Sequence, residues 1–204
     1  MTISECPQCG AAAQPSQRRC EYCKAEFFIT NLAYLGNLDK SQVAKYLKHY
    51  NEIIKNDPND NDGLLGLGLC YLQMGTFQLA EKCFLKIIES SPEISQAYYY
   101  YGISSIKGRR IKILSLTEIR KIETYLLTAI QIDDGTPQYK LLLAMIKKDY
   151  YEANGLRILP PSTSDLLSEI QGIPIDVIEI ERLEACVKIT DFDFFKKNIA
   201  LASF

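Results

Sequence analysis

Residues 61–94 read NDGLLGLGLCYLQMGTFQLAEKCFLKIIESSPEI, and this stretch decides the fold. Apolar side chains recur at three- and four-residue steps on both sides of Gly75, the pattern of two helices joined by a turn. Gly68 and Ala80 are small enough to let the two helices approach closely, while Leu67, Tyr71 and Phe84 fill the seam. Pro92 lacks an amide donor and ends the second helix. Gly75 supplies the backbone freedom for the turn.

Leu64, Leu67, Gly68, Tyr71, Ala80, Phe84 and Pro92 together resemble the tetratricopeptide repeat, with Leu64 standing where that family prefers tryptophan. One repeat length back, 34 residues, Pro58 matches Pro92, and Tyr46, Tyr50 and Ile53 mark an earlier second helix. Its first helix would fall in residues 32–38, which look too short to be regular. Forward, Tyr98, Tyr101 and Gly102 repeat the first-helix pattern. Ile122, Leu126, Ala129 and Asp134 repeat the second, Asp134 taking the usual proline place. A further helix over 138–151 puts Leu143 and Ala144 at the next large and small pair. The resemblance implies a mainly α chain: a solenoid of antiparallel helix pairs whose first helices line a concave, segment-binding face.

On that resemblance the partner-binding side chains of the groove are Leu65, Leu69, Tyr99, Tyr100 and Ile103, with Gln96, Gln138, Leu141 and Leu142 beside them. Such a lining suits an apolar or amphipathic protein segment, with the tyrosines as anchors. The same residues would equally pack against a further helix of this chain. A second contact is expected where the register stretches. Tyr71 to Ala80 spans nine positions, but the corresponding Ser105 to Ile122 spans 17, so eight residues are inserted. The insertion carries Lys107, Arg109, Arg110 and Lys112, a basic turn suited to an acidic partner or simply to solvent.

Ahead of the helices lie Cys6, Cys9, Cys20 and Cys23, two Cys-x-x-Cys pairs separated by ten residues. Each pair forms a knuckle that can aim two thiolates at one centre, and Gly10 after the first can take a positive φ. The segment resembles the short zinc-ribbon family over about 29 residues. That implies a small N-terminal β ribbon with structural Zn²⁺ on Cys6, Cys9, Cys20 and Cys23, and residues 25–29 as a following strand. Iron or a redox dithiol would be the other uses of such cysteines. A segment this short cannot bury enough apolar surface to fold unaided, and metal binding supplies the deficit. Four thiolates would leave no open position for catalysis.

Beyond Pro160-Pro161, Ser162 offers a helix cap before Leu166, Leu167 and Ile170, and Pro174 precedes a helix carrying Val177, Ile180, Leu183 and Val187. Phe192, Phe194, Phe195, Ile199 and Leu201 require burial. The expected organisation is therefore a zinc ribbon over 1–29, helical repeats over 30–160, and capping or self-associating helices over 161–204, with a homo-oligomer as one outcome.

The chain has 204 residues, 47% of them apolar, and its 23 basic and 25 acidic side chains nearly cancel. No global field directs it to nucleic acid or anionic lipid. No apolar run approaches a membrane span, no signal segment opens the chain, and reduced cysteines suit the cytoplasm. Cys70, Cys83 and Cys186 read as buried packing residues. The single histidine, His49, has no nucleophile motif beside it, and no phosphate-binding glycine loop occurs. These observations point to a non-catalytic zinc-binding adaptor. A nucleic-acid-binding ribbon, with Arg18, Arg19 and Lys24 as contacts and the helices as assembly platform, is the alternative.

Overall fold

The computed structural model describes residues 5–14 and 17–202 and is mainly helical. Ten α-helices run α1 (Leu32–Gly36), α2 (Lys40–Asn56), α3 (Asn61–Gln73), α4 (Phe77–Ser90), α5 (Ser95–Ile106), α6 (Leu116–Ile132), α7 (Pro137–Ile146), α8 (Thr163–Glu169), α9 (Val177–Cys186) and α10 (Phe192–Asn198). None is long and apolar enough to cross a membrane.

Local chemistry sets their ends. Asp39 and Gln42 form a reciprocal capping box at the start of α2, and Ser115 with Glu118 does the same for α6. Asp60 caps α3 through the Gly63 amide, and Pro137 occupies the first turn of α7, where a missing amide costs nothing. Gly75 (φ +72°) turns α3 into α4. A glycine is required at 68 for a different reason: a Cβ there would lie 2.6 Å from the Phe84 ring.

Each long helix packs on its neighbour in sequence, from α2 on α3 through α6 on α7. The burial pattern divides them into two kinds. On α2, α4 and α6 one stripe is buried, such as Ala80, Cys83, Phe84 and Ile87. By contrast α3, α5 and α7 are buried almost all round. They form the middle of the molecule because a further set of elements covers their other face. There α1 packs on α3 and α9, and α8 on α7. Arg182 of α9 donates to the Gly36 carbonyl at 2.9 Å, closing α9 onto α1.

Several local expectations are revised. Residues 25–29 form no regular strand; among its described residues the head holds isolated antiparallel bridges, Glu5 with Ala12 and Arg19 with Glu26. The strand is cut short because Glu26, Phe27 and Ile29 spend their backbone groups on tyrosine hydroxyls of the helical body. Residues after Ile146 continue as a π-helical turn, Lys147–Glu152, rather than as α-helix. Pro174 begins a short strand, β1 (Pro174–Asp176), before α9, and β1 pairs in parallel with β2 (Ala200–Ala202). The C-terminal phenylalanines Phe192 and Phe195 are buried within this chain. Self-association is not needed to cover them.

Candidate metal centre and partner surfaces

In the first knuckle the Gly10 amide donates to the Cys6 carbonyl at 2.9 Å, and in the second the Lys24 amide donates to the Cys20 carbonyl at 3.0 Å. Gly10 and Lys24 both take positive φ, 73° and 62°. The repeated geometry gathers the four sulfurs so that all lie within 4.8 Å of one another. Cys6 Sγ is 3.5 Å from Cys23 Sγ, and Cys9 Sγ is 3.6 Å from Cys20 Sγ. A tetrahedron with metal–sulfur bonds of 2.3 Å has edges of about 3.8 Å, so the cluster fits a tetrahedral ion. Cys6 and Cys20 are buried, Cys9 and Cys23 exposed.

Electrostatics within the cluster are uneven. The Cys23 amide, with the Tyr22 amide behind it, draws the Cys20 thiol down to about 6 against the effect of burial. Burial pushes Cys6 up to about 12. The other three cysteines lie elsewhere: burial pushes Cys70 and Cys83 up to about 12 and Cys186 to about 11, the state of inert packing thiols.

The head is fastened to the helices by residues that the cysteine spacing does not reveal. Gln8, between Cys6 and Cys9, donates to the Gln42 carbonyl at 2.9 Å, and Lys45 returns a bond to the Gln8 carbonyl at 2.9 Å. Three tyrosines complete the joint. The Glu26 amide donates to Tyr34 Oη at 3.0 Å, Tyr46 Oη donates to the Glu26 carbonyl, and Tyr50 Oη accepts from the Ile29 amide at 2.9 Å. The only available signal was Tyr46 and Tyr50, four apart on one helix face.

The expected groove residues Leu65, Leu69, Tyr99, Tyr100 and Ile103 are all brought into the main core, none more than 7% exposed. They are covered because α1 lies on α3 and α9 reaches α5, where Tyr100 Oη approaches Glu179 Oε1 at 3.5 Å. This is the in-chain packing that the sequence left open beside an open groove. A segment from another protein could reach these side chains only by displacing α1 and α9.

The basic insertion does emerge from the helices, as a turn followed by a 3₁₀ segment, Ile111–Ile113. Its four cations divide into two pairs. Lys107 lies 3.6 Å from Glu81, and Arg109 lies 2.7 Å from Glu118. The Ser115 amide and then Arg109 hold the Glu118 carboxyl down at about 2. Arg110 and Lys112 remain exposed and form no ion pair among the described residues, with Ile113 beside them 70% exposed. His49 is pressed against Tyr50, ring centroids 5.5 Å apart, and burial lowers its pKa.

Compared with protein-family models, with curated proteins and with solved structures, the chain matches none.

Proposed function

We propose that the chain is a non-catalytic, zinc-binding adaptor of the cytoplasm, a zinc-ribbon-like head fixed to a tetratricopeptide-like solenoid of antiparallel helix pairs. The observation that carries this reading is the sulfur cluster docked on α2. Four thiolates complete a tetrahedral shell, which makes the metal a folding element, and the tyrosine joint makes the head a rigid knob. Zinc is favoured by the all-sulfur, tetrahedral donor set, since softer thiolates select it over magnesium or calcium.

Recruitment of a protein segment then falls to surfaces that the chain leaves open. With α9 over the groove, the free cations Arg110 and Lys112 beside exposed Ile113 form the stronger candidate, suited to an acidic, partly apolar segment. Affinity capture with Arg110→Glu and Lys112→Glu beside the wild type tests it. A partner lost from the variant and restored by the reverse charge on that partner supports the reading; an unchanged set of partners overturns this surface.

One observation favours the alternative of nucleic-acid binding. Tyr22, on the second knuckle, is 78% exposed, and Arg18 nearby has no ion pair among the described residues. An aromatic and a cation presented together can stack on and neutralise a single strand. Arg19 weakens this surface by pairing with Glu26 at 2.6 Å. Salt-steep RNA or DNA binding, lost on Arg18→Ala and Tyr22→Ala, would establish it over the adaptor.

A further inference from the structure

The cover over the middle helices is incomplete. Between α1, α5, α7 and α9 lies a cleft of about 230 Å³ lined by Asn31, Tyr99, Tyr100, Gln138, Tyr139 and Glu179, among others. It has room for several waters at roughly 30 Å³ each. Its chemistry is one-sided. No lysine, arginine or histidine lines it, and Glu179, 7% exposed, has no cationic partner among the described residues.

Hydrogen bonds already made inside the cleft account for part of its polarity. Tyr100 Oη donates to Glu179 Oε1 at 3.5 Å, and the Ala33 amide favours the charged form of the same carboxylate. Tyr139 Oη bonds Ser95 Oγ at 3.1 Å. One group has nothing: Gln138 Oε1 is buried without a hydrogen-bond partner. The Tyr99 side chain also lines the cleft. Buried polar groups are ordinarily satisfied, so an unfilled acceptor beside a buried carboxylate describes the complement of a ligand.

We infer that this cleft is a binding site for a primary ammonium group, the end of a lysine side chain or a small free amine. An ammonium brings three donors and no acceptor, which matches Glu179, Gln138 Oε1 and Tyr99 Oη. A guanidinium fits less well, because its planar fork seeks both oxygens of a carboxylate and Oε1 of Glu179 already faces Tyr100 Oη. A bare metal ion would find only one carboxylate in the lining.

The site also predicts its own pH dependence. The groups facing Glu179 are Asp176 at the start of α9, Tyr99 and Tyr100 of α5, and Tyr139 of α7; α1 contributes only amides. The three tyrosines are held neutral, their pKa values raised chiefly by burial. Burial, then the charge of Asp176, pushes the Glu179 carboxyl up to about 7. Ammonium binding requires the carboxylate, so affinity should rise about ten-fold between pH 6 and pH 8 as the competent fraction grows.

The test is a titration of the full chain with n-butylammonium at constant ionic strength, read by amide and side-chain NMR signals of Gln138, Asn31 and Tyr99. n-Butanol serves as the neutral isostere, and acetyl-Ala-Lys-Ala-amide as the lysine probe. Saturable shifts with the amine but not the alcohol are expected. Glu179→Gln, which keeps hydrogen-bonding capacity, should weaken binding at least ten-fold, and Tyr99→Phe two- to five-fold. A tighter lysine peptide identifies a partner's side chain as the ligand; a tighter butylammonium identifies a small amine. Equal shifts from amine and alcohol, no saturable shift from either, or full affinity in folded Glu179→Gln would overturn the inference and leave a solvent-filled cleft. The result is independent of the adaptor reading, whose partner surface at Arg110 and Lys112 lies outside the cleft.

Discussion

The hydroxyl of Tyr50 accepts a hydrogen bond from the Ile29 amide at 2.9 Å, and this contact fastens the chain leaving the cysteine head to the face of α2. The same hydroxyl lies 3.3 Å from the Phe27 carbonyl, which accepts from it. Tyr50 and Ile29 are both essentially fully buried. Tyr50→Phe therefore leaves a buried amide and carbonyl unpaired while keeping the ring. The expected loss is about 1–3 kcal/mol by chemical denaturation, with metal content unchanged because no ligand is touched. A variant as stable as the wild type would show that the joint contributes orientation alone.

Metal removal should separate the head from the body. The head's own core consists of Cys6, Cys20, Ala25 and Phe27, with few apolar neighbours. Nothing of that size folds unaided, whereas the helices share one large core. Chelation should deprotect the hydrogen-bonded amides of Cys6, Gly10, Cys20 and Lys24 to hydrogen exchange and leave most helical circular dichroism in place. Cys20→Ser should abolish the bound metal, read as about one ion per wild-type chain and none in the variant. Full loss of helix on chelation would contradict the separation.

Which parts were legible follows from physics. The helix pair at residues 61–94 was readable because Gly68 and Ala80 sit where two backbones meet, with Phe84 against the glycine. The long connection between α5 and α6 was readable because the apolar spacing stretches there, and the cysteine spacing because the four sulfurs that gather lie close in sequence. What covers α3, α5 and α7 was not readable in detail, since α1 and α9 meet across most of the chain. A hint was present: α3 and α5 carry apolar residues on every face, a mark of helices buried all round rather than of an open groove. The parallel pairing of β1 with β2 had no local signal, because three-residue strands show no period.

Glu179 should set a pH dependence of stability. Its folded pKa of about 7 lies above the ordinary carboxyl value, chiefly because burial disfavours the charge. The folded state then holds a proton that the unfolded chain releases. Stability should accordingly fall as pH rises from about 4.3 to 7 and level off above, by an amount on the order of 3 kcal/mol. Glu179→Gln removes the titration. The difference in urea midpoint between variant and wild type should be small at pH 4.5 and favour the variant at pH 8. Parallel pH profiles would place the titrating group elsewhere.

Lys147 and Glu123 form a buried ion pair at 2.8 Å, with side-chain exposures of 6% and 11%. Tyr151 donates to the other Glu123 oxygen at 2.7 Å, and Lys147 also donates to the Leu159 carbonyl at 3.2 Å, so the pair ties α6 to the π-helical turn and the segment that follows. Desolvation of two charges offsets most of their attraction, which makes the pair costly to break and inexpensive to replace. Glu123→Leu alone strands a buried ammonium and should destabilise by about 3–5 kcal/mol. Lys147→Met in the same chain should recover much of that loss, leaving about 1–2 kcal/mol for the unpaired Tyr151 hydroxyl and Leu159 carbonyl. A double-mutant cycle by urea denaturation measures the coupling directly. Additive losses would mean that the two charges do not act as a pair, and that the π-helical turn is held by the packing of Tyr150 and Tyr151 instead.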